Sequence, residues 1–126
     1  MLEPEIRDLA RDKNFASLSL RLPNGQIANH VMWVDADDEH VLINTEVHRV
    51  KFKAVEANPN VTVVVWAENP YHYAEVRGRV VETVRGTAAR EHIDALSRKY
   101  TGGDYGNQIT SERVILKIAP DFQHSR

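Results

Sequence analysis

Apolar residues Leu2, Ile6, Leu9 and Ala10 recur near the helical period, with Pro4 in the first turn where its missing N–H costs nothing. They predict a short amphipathic helix within residues 1–13. Over residues 15–22 the period drops to two, with Ala16, Leu18, Leu20 and Leu22 on one side and Ser17, Ser19 and Arg21 on the other, as in a half-buried strand. Pro23-Asn24-Gly25 is a strong hairpin signal and sends the chain back along a second strand over residues 26–35. The acidic run at residues 35–38 lacks the EF-hand pattern and reads as a solvated turn before a third strand at residues 40–44.

Val47, Val50, Ala54 and Val55 then predict a helix over residues 45–58, closed by Asn58-Pro59. The nearly continuous apolar run at residues 61–66 predicts a central strand buried on both faces. A long strand follows over residues 71–84, bent at Gly78, and then a helix over residues 86–100 with Ala89, Ile93 and Leu96 inward. A glycine-rich loop leads to a last strand at residues 113–119, and residues 120–126 are expected to be a loose tail. The expected architecture is mainly β (α+β): one domain, residues 1–126, built as a six-stranded antiparallel barrel with flanking helices.

Composition narrows the chemistry. Sixteen basic against eighteen acidic residues in 126 give a net charge of −2, which argues against nucleic-acid or anionic-membrane partners. The absence of cysteine removes thiolate nucleophiles, disulfides and cysteine-based metal sites, so redox chemistry has to come from a bound cofactor. The six histidines lack metal-ligand spacing, and no metal site is expected. No apolar stretch approaches the roughly 20 residues of a spanning helix, and the opening residues do not resemble a signal peptide. A cytoplasmic location is the corresponding expectation.

The sharpest local feature is residues 45–53, where Arg49, Lys51 and Lys53 accompany His48 at a strand-to-helix junction. Free N–H groups at a helix start favour anions, and cations beside them suit a phosphate; a solvated helix face is the alternative. Tyr71 and Tyr73 sit on one face of the predicted long strand and could wall a flat ring, or else serve a barrel end or dimer contact. Trp33 and Trp66 suit either core or pocket lining. Thr101 to Gly106 is glycine-rich but follows a helix instead of a strand, so it is no dinucleotide fingerprint.

Taken in order, MWVD (residues 32–35), VLINT (41–45), HRVK (48–51), ANPNVTVVV (57–65), NPYHYAEVRGRV (69–80) and SRKYTGGDY (97–105) resemble one family across residues 8–118. It is the pyridoxamine-phosphate-oxidase-like, FMN-binding split-barrel family, and specifically its branch of oxidoreductases that use the deazaflavin coenzyme F420. The resemblance implies a homodimer with two cofactor sites at the subunit interface. It implies that Arg49 and Lys51 hold the cofactor's phosphate and that Asn44 and Thr45 add hydrogen bonds. Residues 28–33, including Met32 and Trp33, would lie along the ring, and Tyr71 and Tyr73 would arrive from the other subunit. His30 stands near the ring, and the proton that completes a reduction would come from solvent or from a pocket donor such as Tyr73 or His30. Glu56, Ala57, Asn58 and Asn60 occupy positions where family members often carry basic residues.

The function so implied is hydride transfer between coenzyme F420 and a small organic acceptor. The rivals are an FMN-dependent oxidase or reductase on the same barrel, and a non-catalytic carrier of coenzyme F420.

Overall fold

The computed structural model describes residues 1–126. Its elements in chain order are α1 (Pro4–Arg11), β1 (Phe15–Arg21), β2 (Ile27–Trp33), β3 (Asp35–Ala36), β4 (Val41–Glu46), α2 (Val50–Ala57), β5 (Asn60–Trp66), β6 (Tyr73–Arg85), α3 (Thr87–Thr101) and β7 (Arg113–Ser125). The mainly-β expectation holds, with seven strands in place of six, because the chain pairs briefly at Asp35–Ala36. No helix is long and apolar enough to cross a membrane.

All seven strands belong to one antiparallel sheet in the order β2-β1-β5-β6-β7-β4-β3. Its two edges are β2 and β3, yet only Val34 separates them in the chain. One residue spans about 3.5 Å, so the sheet must curl until its edges nearly meet. That curl leaves a split at Val34, whose backbone has no neighbouring strand. The end of α3 fills it: the Val34 amide donates to the Tyr100 hydroxyl at 3.1 Å, and Lys99 Nζ donates to the Val34 carbonyl at 2.6 Å. Backbone groups left by the broken ladder are thereby satisfied.

Inside the curl lies one apolar cluster. Leu18 and Leu20 of β1, Val61, Val63 and Val65 of β5, Val76 of β6, Ile43 of β4 and Leu116 of β7 meet Ile6 and Leu9 of α1 and Phe52 and Val55 of α2. The hairpin turn forms as expected, with Gly25 at φ +88°, a backbone conformation glycine adopts freely. Gly78 is required for a different reason. Its partners are Val61 and Pro120, the register shifts beside it, and a Cβ there would stand 2.0 Å from the Ala119 carbonyl oxygen.

Four expectations need correction. The helix predicted over residues 45–58 is Val50–Ala57, because Thr45 and Glu46 remain in β4, paired with Val114 and Arg113. Residues 120–126 are no loose tail: β7 continues to Ser125, and Tyr73 and Arg126 exchange backbone hydrogen bonds at 3.1 and 2.8 Å. Pro120 sits at the β6 irregularity, where its missing N–H breaks no regular ladder. β5 buries only alternate residues, leaving Thr62, Val64 and Trp66 half-buried on the outer face. Finally, Tyr71 precedes β6 and lies in a turn, with its amide bonded to Asn69 Oδ1 at 3.1 Å, so the two tyrosines do not form a strand face together.

Candidate functional site

β2, β4, α2, α3 and the loop before β7 line an open cavity of about 250 Å³. Its apolar lining is Met32, Trp33, Ile93, Leu96 and Tyr105, and its polar lining is Asn44, Thr45, Arg49, Lys51, Asn107 and Arg113, the two meeting where the Arg113 guanidinium lies 5.2 Å from the Tyr105 ring. Six residues expected from sequence meet here: Met32, Trp33, Asn44, Thr45, Arg49 and Lys51. Trp33 is stiffened by Tyr100, which stacks on it at 5.0 Å between centroids, and Tyr105 meets its edge at 6.2 Å.

The polar side is cationic for a local reason. Arg49 is the N-cap of α2 and makes no side-chain cap, while Lys51 stands in the first turn, which contains no acidic residue. The first-turn N–H groups therefore lack both a capping acceptor and a counter-charge. Neither Arg49 nor Lys51 pairs with a carboxylate, whereas Arg113 reaches Glu46 at 3.4 Å. Burial, reinforced by the charges of Arg49 and Arg113, pushes the Lys51 ammonium below its ordinary pKa. An anion between these three cations would relieve that repulsion.

Beneath the cavity floor runs a buried polar chain. Asn44 Nδ2 donates to the Ala89 carbonyl at 2.9 Å and contacts His92 Nδ1 at 3.0 Å, while Asn44 Oδ1 accepts from Arg113 Nε at 2.9 Å. Both amide hydrogens of Asn44 are thus committed within the chain. Its side chain therefore acts on the site by holding Arg113. Thr45 lines the cavity with no such commitment.

Glu46, with a side chain 1% exposed, accepts from Thr110 at 3.1 Å and Ser111 at 3.4 Å and lies 3.0 Å from His48 Nδ1. Burial works against its carboxylate, but the Thr110 hydrogen bonds and the Arg113 charge outweigh burial and hold the pKa below the ordinary value.

The other expected residues lie elsewhere in the chain. Tyr71 is 76% exposed, and Tyr73 is half-buried with its ring 6.0 Å from that of His124. His30, two residues before Met32 on the edge strand β2, does not line the cavity. Its Nδ1 is buried without a hydrogen-bond partner, an arrangement that is uncommon in folded proteins. Arg113, Tyr105 and Asn107 were missed. Their signal was an arginine opening a strand and a tyrosine in a glycine-rich loop, neither of which has a diagnostic spacing.

A larger open groove of about 670 Å³ runs over β1, β5 and β6 beside Arg21, Arg77 and Asp121. Of its two arginines, Arg77 pairs with Glu75 at 3.1 Å and Arg21 donates to the Gly25 carbonyl, and Asp121 adds a negative charge to its lining. The smaller cavity is the better candidate because it combines unpaired cations with an apolar wall.

Comparisons with known proteins bear on the family and the fold. The family model for pyridoxamine 5'-phosphate oxidase matches residues 2–122. A solved structure named F420 reductase is 26% identical, with full coverage of both chains and a TM-score of 0.79. A conserved hypothetical protein from Mycobacterium tuberculosis is 22% identical over 98% of this chain and 82% of its own, at a TM-score of 0.73. General stress protein 26 of Bacillus anthracis is 20% identical over 95% and 89%, at 0.71. The latter two share the fold. No curated protein matches the sequence at a significant level.

Proposed function

The chain belongs to the pyridoxamine 5'-phosphate oxidase family, and from that premise we propose that it is an oxidoreductase that binds coenzyme F420 and reduces a small organic acceptor. The observation that carries the reading is that one cavity is lined both by the unpaired cations at the start of α2 and by an apolar wall that includes Trp33. Such a site suits a ligand with a phosphate at one end and a flat ring at the other. The likeness to a protein named F420 reductase over the full length of both chains favours the deazaflavin among such ligands.

When bound, the deazaflavin supplies the hydride chemistry, so the protein's task is binding, orientation and exclusion of water. In this reading Arg49 and Lys51 hold the phosphate, with Arg113 and Thr45 behind them. Met32, Trp33, Ile93 and Leu96 keep water from one side of the ring. Solvent, or Tyr73 arriving from a second chain, supplies the proton that completes the reduction, since His30 does not line the cavity.

A cavity of about 250 Å³ lies below the roughly 300–1,000 Å³ usual for small-molecule sites, which supports a site completed by a second chain. The outer sheet face suits such a partner, since Phe15, Ile27, Val31 and Phe122 are exposed there. Tyr71 and Tyr73 are then the partner's contribution to each site.

Mixing two impaired chains tests this arrangement. Lys51→Ala and Tyr73→Ala homodimers should each bind coenzyme F420 poorly. After subunit exchange, mixed dimers should regain about one site per dimer, because one site collects both lesions and the other none. No recovery, with both variants folded and exchanging, would place the two residues in one chain's site and reject the shared arrangement.

A further inference from the structure

The direction of every hydrogen bond in the chain Asp35–His92–Asn44–Arg113 can be deduced from its fixed ends. The Ala89 carbonyl can only accept and Arg113 Nε can only donate, so Asn44 must present Nδ2 to the first and Oδ1 to the second. His92 Nδ1, 3.0 Å from that same Nδ2, must therefore be the unprotonated acceptor. His92 Nε2 then carries the hydrogen and donates to Asp35 Oδ2 at 3.0 Å.

Arg113, 6% exposed, spends one N–H on Asn44 and one on Glu46, keeps further donors free, and lines the cavity. We propose that His92 is a positioning residue of the anion site, holding Arg113 in its cavity-facing orientation through Asn44, and that only the neutral imidazole can do so. This inference rests on the proposed anion site.

A second proton on His92 sets Nδ1–H against the Asn44 amide hydrogens. The imidazolium keeps Asp35, whose carboxylate is held below its ordinary pKa by the His92 hydrogen bond in spite of burial, and the Asn44 contact is the one that yields. If the amide rotates, its NH₂ group faces Arg113 Nε, donor against donor. Arg113 is then released from its orientation, and the anion loses a buried contact.

The charged groups around His92 are few. β3 presents Asp35, β4 presents Asn44 with Glu46 beyond it, β7 presents Arg113, and on α3 itself Lys99 acts on Asp35. His48, paired with Glu46, is the other nearby imidazole and requires a control.

Sulfate is the probe, because its charge is constant over the range from about pH 5 to about pH 8 in which histidine titrates. Simple electrostatics, and the titration of Lys51, both make sulfate bind more tightly toward acid. The relay predicts the reverse: calorimetric titration of the full chain at constant ionic strength should show affinity falling about tenfold from pH 8 to pH 5, the equivalent of one hydrogen bond to a charged group.

His92→Gln, whose amide can accept from Asn44 and donate to Asp35 at every pH, should keep the pH 8 affinity and abolish this fall. His92→Ala should be about tenfold weaker at pH 8 and also insensitive to acid. His48→Gln should retain the full pH profile. Sulfate binding that is flat or tightens toward acid in the unmodified chain, or a profile unchanged in His92→Gln, overturns the relay alone. No sulfate binding at any pH overturns the anion site with it.

Discussion

Glu46→Gln should lower the stability of the protein by about 3–5 kcal/mol at neutral pH, the usual loss when one partner of a buried ion pair is removed. Glu46 is 1% exposed and Arg113 6% exposed, so neither can turn to solvent when its partner is lost. The variant leaves Arg113 without its counter-charge and offers Thr110 and Ser111 an amide in place of a carboxylate. For a chain of this length the melting temperature should fall by roughly 10–20 °C.

The pH dependence follows from the depressed Glu46 pKa. A carboxylate whose folded-state pKa lies below its unfolded value contributes stability above that value and loses it as pH falls through the folded one. The gap between the natural protein and Glu46→Gln should therefore be full at pH 7 and shrink below the ordinary glutamate value of 4.5. Equal gaps at about pH 3 and pH 7, by thermal melts, would show that the charge of Glu46 is not what matters.

Arg49→Ala and Lys51→Ala should each weaken cofactor binding by about 1.5–3 kcal/mol, or roughly ten- to a hundredfold. Lys53→Ala is the internal control, because Lys53 is exposed on α2 and does not line the cavity. The two site variants should also behave differently without ligand. Burial first, and then Arg49 and Arg113, depress the Lys51 pKa, so the folded state is penalised for keeping this ammonium charged until the pH climbs toward 10.5. Lys51→Met should thus raise the melting temperature of the free protein while lowering affinity. Impaired binding in Lys53→Ala, with Arg49→Ala and Lys51→Ala intact, would contradict the placement of the phosphate.

Local patterns announced much of this fold, and contacts distant in sequence decided the rest. The alternation Ala16, Leu18, Leu20 and the Asn24-Gly25 turn are short-range signals, and the hairpin forms with Leu18 opposite His30. The cation cluster was also legible, since Arg49 and Lys51 fall by the strand-to-helix junction that the period of Val50, Ala54 and Val55 implies, although the helix begins at Val50 and not at residue 45. What local periodicity could not show was that Glu46 would remain in a strand. The reason is Arg113, 67 residues away, which draws the acid inward.

The end of the chain shows the same limit. Pro120 looks like a terminator, and only the irregular register opposite Gly78 lets β7 run past it. Tyr71 failed the alternation argument because Asn69 turns the chain first. Within the site, Asn44 was recognised by its place at a strand end, but its role depends on which partners claim its amide, and these come from α3 and β7.

The central claim, that the cavity is the phosphate end of a deazaflavin site, is most directly tested by titrating the purified protein with coenzyme F420 and, separately, with FMN. The account predicts saturable binding of coenzyme F420 at one site per chain, tighter than FMN, and weakened by Arg49→Ala. Micromolar-range binding of FMN with none of coenzyme F420 would contradict it.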